Sequence, residues 1–248
     1  MLADPAFWAV AVPAVLLMGM SKSGFGAGFG ALAVPLMALA MPVPQAAAIM
    51  LPLLAVMDAL GLAALWRERD RALIRLLLPA GLAGTVLGTL LFGWLSATVV
   101  AGIVGALTLG FLAIRRFFPP RRDAPPPPRW LGWLLGMTSG FTSFVAHAGG
   151  PPIGFYVMPL KLSPVAFTAT MAVFFAAINA SKWVPYYALG LIDTTNLLAS
   201  AALLPLAPLG VWIGVRIVRV IPPRLFYGLF ELGMLLTGLK LLWDGVLG

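Results

Sequence analysis

Cysteine is absent from this 248-residue chain. Disulfides, thiolate metal sites and cysteine nucleophiles are therefore excluded. Histidine occurs once, as His147, and no His/Asp/Glu cluster has metal-ligand spacing, so neither a metal nor another cofactor is expected. Charge is scarce too: 10% of the residues are Asp, Glu, Lys or Arg, where a soluble domain carries about 25%. Apolar residues take their place, at 61% of the chain. The uncharged runs 23–57, 76–114 and 130–160 exceed the roughly 18 apolar residues that read as a membrane span. The composition predicts an all-α polytopic membrane protein in contact with the lipid bilayer. No basic region precedes the first apolar run, so no removable signal peptide is expected.

The net charge of +8 would suit nucleic acid, but its distribution does not. All twelve arginines fall within 67–75, 115–129 and 216–224. Short basic loops between apolar segments follow the positive-inside rule, which places these loops in the cytoplasm of a bacterial inner (plasma) membrane protein. The aromatic-interleaved basic surface of a nucleic-acid binder is missing. The loops near 41–45, 94–98 and 188–194 lack Lys and Arg and are expected outside.

The apolar segments run over 6–40, 44–66, 73–94, 98–114, 130–160, 164–190, 194–215 and 225–246. A Pro/Arg linker, 119–129, separates an N-terminal repeat, 1–118, from a C-terminal repeat, 130–248; a proline-rich linker is semi-rigid. Counting sides, segment 130–160 starts and ends in the cytoplasm, and 6–40 starts and ends outside. Each is expected to be a helical hairpin bent at a broken motif, with arms of about 15 residues or about 22 Å; two short tilted full spans are the alternative. The halves would then insert in opposite orientations, as two inverted four-segment repeats. A weak internal match supports duplication. Pro44 aligns with Pro164 and Gly30 with Gly150 at an offset of 120, and Gly84 and Gly88 align with Gly210 and Gly214 at 126. These small-xxx-small pairs, with Gly132, Gly136 and Gly140, suit close helix packing.

The first break is Met20-Ser-Lys-Ser-Gly-Phe-Gly-Ala-Gly-Phe-Gly30 and the second Val145-Ala-His-Ala-Gly-Gly-Pro-Pro152. Backbone groups freed at a break must line a cavity or be buried in protein. A helix that restarts after a break offers free N–H groups and a positive dipole end, which suit an anion. The pattern predicts an anion site from Lys22, Ser23, Gly24, Gly26, Gly28, His147, Gly149 and Gly150; a glycine-rich close-packing crossing is the alternative. Ionisable groups within spans are costly and are usually functional or paired. Lys182, near Asn179, is read either as a site residue or as a lysine snorkelling to the outer interface. Asp58 and Glu231 are read as counter-ions to the lysines or as proton carriers, and His147 as a site residue or a hydrogen-bonded interior one.

At these residues the chain resembles the TauE/SafE family of sulfite exporter-like permeases. The resemblance lies in the 24–30 break followed by Ala31-Leu-Ala-Val-Pro-Leu-Met37 and Pro44. It continues in Gly140-Phe-Thr-Ser143, His147-Ala-Gly-Gly-Pro-Pro152, Tyr156 and Phe174-Phe-Ala-Ala-Ile-Asn179. It implies a non-enzymatic transporter of a small sulfur anion, sulfite or an organosulfonate. The expected mechanism is alternating access with the anion between the two breaks. Lys22, His147, Asn179, Lys182 and backbone N–H groups would hold it, and Asp58 or Glu231 would couple an ion. A passive anion channel and a proton-coupled permease for another small organic anion are the alternatives. A membrane-embedded enzyme would need a nucleophile, metal or cofactor constellation, which the sequence does not offer. A homo-oligomer is compatible with the sequence.

Overall fold

The computed structural model describes residues 2–24, 29–92, 94, 96–117 and 125–247. Most of those residues are helical, with no strand among them. Five helices are long and apolar enough to cross a membrane, or six if a bent pair counts as one span. Large apolar side chains such as Leu90, Ile103, Val184, Trp212 and Trp243 are exposed around the outside, where lipid rather than water would cover them. The protein is a multi-pass membrane protein.

Local sequence sets where the helices begin. α1 spans Pro5–Gly24, and a short α2 spans Ala33–Met37. α3, Val43–Leu65, opens with Pro44 in its first turn, where a missing N–H costs nothing. α4, Arg71–Leu91, is capped by Asp70, whose carboxylate accepts from Leu73 N at 2.9 Å. α5 spans Ala97–Phe117, α6 Arg129–Ala146 and α7 Gly150–Val157. α8, Pro164–Ala188, is capped by Ser163, which accepts from Ala166 N. Such caps satisfy donors that a helix leaves open. α9 spans Thr194–Leu203, α10 Leu206–Val220 and α11 Pro223–Leu247.

Two expectations about segments need correction. The broken segments do not fold into equal arms. α1 has 20 residues and α6 has 18, about 27–30 Å each, whereas the returning helices α2 and α7 have 5 and 8. Prolines shorten the return: Pro159 ends α7 in a 3₁₀ turn, and Pro42 precedes α3. Segment 194–215 is likewise not one straight span. It bends by 49° between α9 and α10 at Pro205, which has no N–H to continue the ladder.

The tightest helix pairs join the two sequence halves. α1 lies on α10, α4 on α6, α3 on α8 and α5 on α11. A Cβ built on Gly84 would sit 1.9 Å from the Met137 carbonyl oxygen, and one on Gly140 would sit 1.9 Å from that of Gly81. On the other pair, a Cβ on Gly24 would lie 2.8 Å from Gly214 Cα, and Gly19 meets Gly210. The small residues named as packing positions are therefore packing positions. Along these seams α4 and α6 run in the same sense, as do α1 and α10, since contacts advance together in number.

Hydrogen bonds gather the Arg-rich ends on one face. Asp70 N donates to Thr170 Oγ1 at 2.9 Å, Arg219 Nη2 to Ala64 O at 3.0 Å, and Tyr227 Oη to Leu162 O at 2.8 Å. The opposite face joins Gln45 to Asn196 at 3.2 Å. It also holds a cleft bounded by Leu39, Thr98 and the Lys240–Asp244 ion pair.

Candidate functional site

Among the described residues, the buried charged side chains are Lys22, Asp58 and Lys182, and all three meet in one cluster. Lys22, in the last turn of α1, is paired with Asp58 of α3. The second Asp58 oxygen accepts from Asn179 Nδ2 of α8 at 2.8 Å. That bond orients the amide, so Asn179 Oδ1 faces Lys182 Nζ, 3.1 Å away. One turn along α8, Lys182 also donates to Ser143 O at 2.7 Å and Ser143 Oγ at 2.8 Å, and contacts His147 Nδ1 at 3.2 Å. Four acceptors surround this amine, the environment of a three-donor ammonium. With both lysines charged, the cluster holds one positive charge more than Asp58 neutralises. An ion removed from water costs several kcal/mol unless it is paired, so this surplus favours an anion.

Lys22 lies in the last turn of α1, and the Lys182 amine meets the last turn of α6. The left-handed His147 (φ 50°) stops α6, and its N–H folds back onto Ser143 O at 3.1 Å. His tolerates this conformation better than a branched residue would. Ser143 O lies at the negative end of the α6 dipole, where a cation is stabilised, and Lys182 supplies it. The ring of His147 is committed on both sides. Nδ1 accepts from Lys182, and Nε2 lies 3.5 Å from Tyr186 Oη, which itself donates to Phe144 O at 2.9 Å. This network assigns the neutral Nε2–H tautomer. In this tautomer His147 adds no charge and accepts from Lys182.

The two breaks border a single cavity of about 30 Å³, lined by Met18, Lys22 and Gly30 from the first and Ser143, His147 and Gly150 from the second. Drug-sized ligand sites run to about 300–1,000 Å³. The space suits a compact ion. Lys22 and Asn179 face it, and Lys182 lies one layer behind.

The remaining predicted residues fall in different places. Ser23 is buried toward Gly61 of α3, and Gly24 lies on Gly214 of α10. Gly26 and Gly28 lie outside the described residues. Gly149 caps α7 against Ser139 and Phe175, and Gly150 starts it. Glu231 sits on α11 in a cleft with Arg116, apart from the lysine cluster. The snorkelling alternative for Lys182 fails, because the side chain is fully buried. The restart after the first break is also weaker than expected. It forms a three-residue 3₁₀ turn, and Gly30 N already donates to Ser21 Oγ at 2.7 Å. At the second break Pro151 and Pro152 remove two donors from the first turn.

Sequence reasoning missed Ser143 and Tyr186 as members of the cluster. A signal existed for Tyr186: positions 179, 182 and 186 share one face of α8 at helical spacing.

None of the curated proteins and none of the solved structures compared with this chain matches it. A family model does, over residues 11–241, described as sulfite exporter TauE/SafE. That span takes in both breaks, all three buried charges and the helices that hold them, and the chain belongs to the sulfite exporter TauE/SafE family.

Proposed function

We propose that this protein carries a small sulfur oxyanion, such as sulfite or a short organosulfonate, out of the cell by alternating access. The anion would occupy the cavity between the breaks, held by Lys22, Asn179 and the α7 start, with Lys182 adding its charge from behind. The observation that carries this reading is a buried cluster of two lysines and one aspartate, with Lys22 bordering a cavity of compact-ion size and Lys182 one layer behind it. An inside-negative membrane favours exit of an anion by about 2.3 kcal/mol per charge per 100 mV.

The proposed architecture is two inverted four-segment repeats, 1–118 and 130–248, joined by the cytoplasmic linker 119–129 in a bacterial inner membrane. Support comes from the paired breaks, the exchanged partners and the shared Arg-rich face. α1 follows α10 toward that face and α6 follows α4 away from it, the relation inverted repeats require. Because the glycine seams join the halves, the proposed moving bodies are the pairs α1–α10 and α4–α6 rather than the halves themselves.

The test is sulfite counterflow in liposomes holding the purified protein, beside Lys22→Ala. Saturable exchange that the variant loses by about tenfold or more is expected. An unchanged variant would remove Lys22 from the site, and a flux that neither saturates nor exchanges would mark a channel.

A further inference from the structure

We propose that Asp58 sets the charge of the anion this site accepts, and that the accepted form is a monoanion. The inference rests on the transport reading above and adds the substrate's valence to it. With both lysines protonated, the described buried charges are two ammonium groups and one carboxylate. In the Nε2–H tautomer His147 adds no charge, and Tyr186 donates its hydroxyl to Phe144 O. One negative charge neutralises the cluster and a second is left over. Both Asp58 oxygens are engaged, one by Lys22 and one by Asn179, so this carboxylate is fixed in place as a built-in anion. It consumes the charge of Lys22, the cation at the cavity wall. An entering dianion would meet an uncompensated negative charge in a buried site, which discriminates by repulsion as well as by attraction. For sulfite, the rule selects the singly protonated hydrogen sulfite ion, and each turnover moves one negative charge.

Methanesulfonate and sulfate are tetrahedral and nearly the same size, and they differ by one charge. The experiment measures how each inhibits labelled sulfite counterflow, and how each stabilises the detergent-solubilised protein against heat. The wild type is expected to favour methanesulfonate by about tenfold or more, and Asp58→Asn to narrow or invert that ratio by a similar factor. Lys22→Met/Asp58→Asn removes one charge of each sign and keeps the wild-type order, whatever its absolute rate. Lys22→Met alone, left with no net charge, weakens both anions. Equal potency of the two anions in the wild type, or an Asp58→Asn ratio equal to that of the wild type, overturns the proposal. If Asp58→Asn does not fold, the two Lys22 variants decide: loss of the order in the double variant overturns the rule. Absent sulfite exchange with methanesulfonate stabilisation retained would refute transport of sulfite and uphold the charge rule.

Discussion

At the scale of single residues, the buried network separates side chains that hold one another from one that holds nothing. Thr168 Oγ1 is buried without a hydrogen-bond partner. Thr168→Val keeps the shape and removes the stranded hydroxyl, which is worth about 1 kcal/mol. Calorimetry in detergent should show an unchanged or raised melting midpoint, by about 2–4 °C per kcal/mol in a chain of this size. Lys182→Met acts oppositely. It leaves Asn179 Oδ1 without its donor and takes one of two donors from Ser143 O, and removing one member of a buried charged contact costs about 2–5 kcal/mol. Sulfite counterflow should fall more than tenfold, with a lowered midpoint. Lys22, Asp58 and Lys182 could be read from the sequence because a charge inside an apolar run stands out, and Asn179 by its place three residues before Lys182. Their connection could not, since it depends on Asn179 turning one end to each charge across residues 121 apart. Glu231 lies apart from that cluster, since sequence gives a charge its depth but not the side of the bundle it faces.

The element scale is governed by how closely helices approach. Gly140→Ala drives a methyl into the Gly81 backbone, and overpacking of this kind costs about 1–3 kcal/mol or more. Gly228 faces open space, so Gly228→Ala should be neutral or stabilise α11 by up to about 1 kcal/mol. Melting the two variants side by side checks both directions, and a harmless Gly140→Ala would contradict the tight α4–α6 seam. Most helix limits were legible, because apolar runs end at Arg clusters and prolines. The bend was not. Leu-Leu-Pro occurs at 77–79 and again at 203–205, yet α4 stays continuous and α9–α10 breaks. The difference lies in the partner: Gly81 is seated on α6 two residues after Pro79, whereas the first glycine contact of α10, Gly210, comes five residues after Pro205.

For the whole molecule, the pattern of arginines carried the topology further than any motif. The hydrogen bonds between 64 and 219, 70 and 170, and 162 and 227 put the expected cytoplasmic ends on one face. Single cysteines at Glu68 and Ser163 should therefore react with an impermeant reagent from the same side of sealed vesicles, and one at Gly190 from the other. Glu68 and Ser163 labelled from opposite sides would rule out the hairpin and the inverted repeat together. The unequal arms of the hairpins lay beyond the sequence, because parity counts crossings and says nothing of how deep a returning segment reaches.

The partnership of Gly24 with Gly214 also has a consequence in time. A ribosome adding about 5–20 residues per second delivers α10 roughly 10–40 s after α1, since their contact residues are 190 positions apart. Through that interval the glycine face of α1 lacks the partner it meets in the folded chain. Lys22 need not wait as long, because Asp58 arrives 36 residues later within the same half. The carboxylate that trims the charge of the finished site thus also shields a lone lysine while the nascent chain waits for its second half.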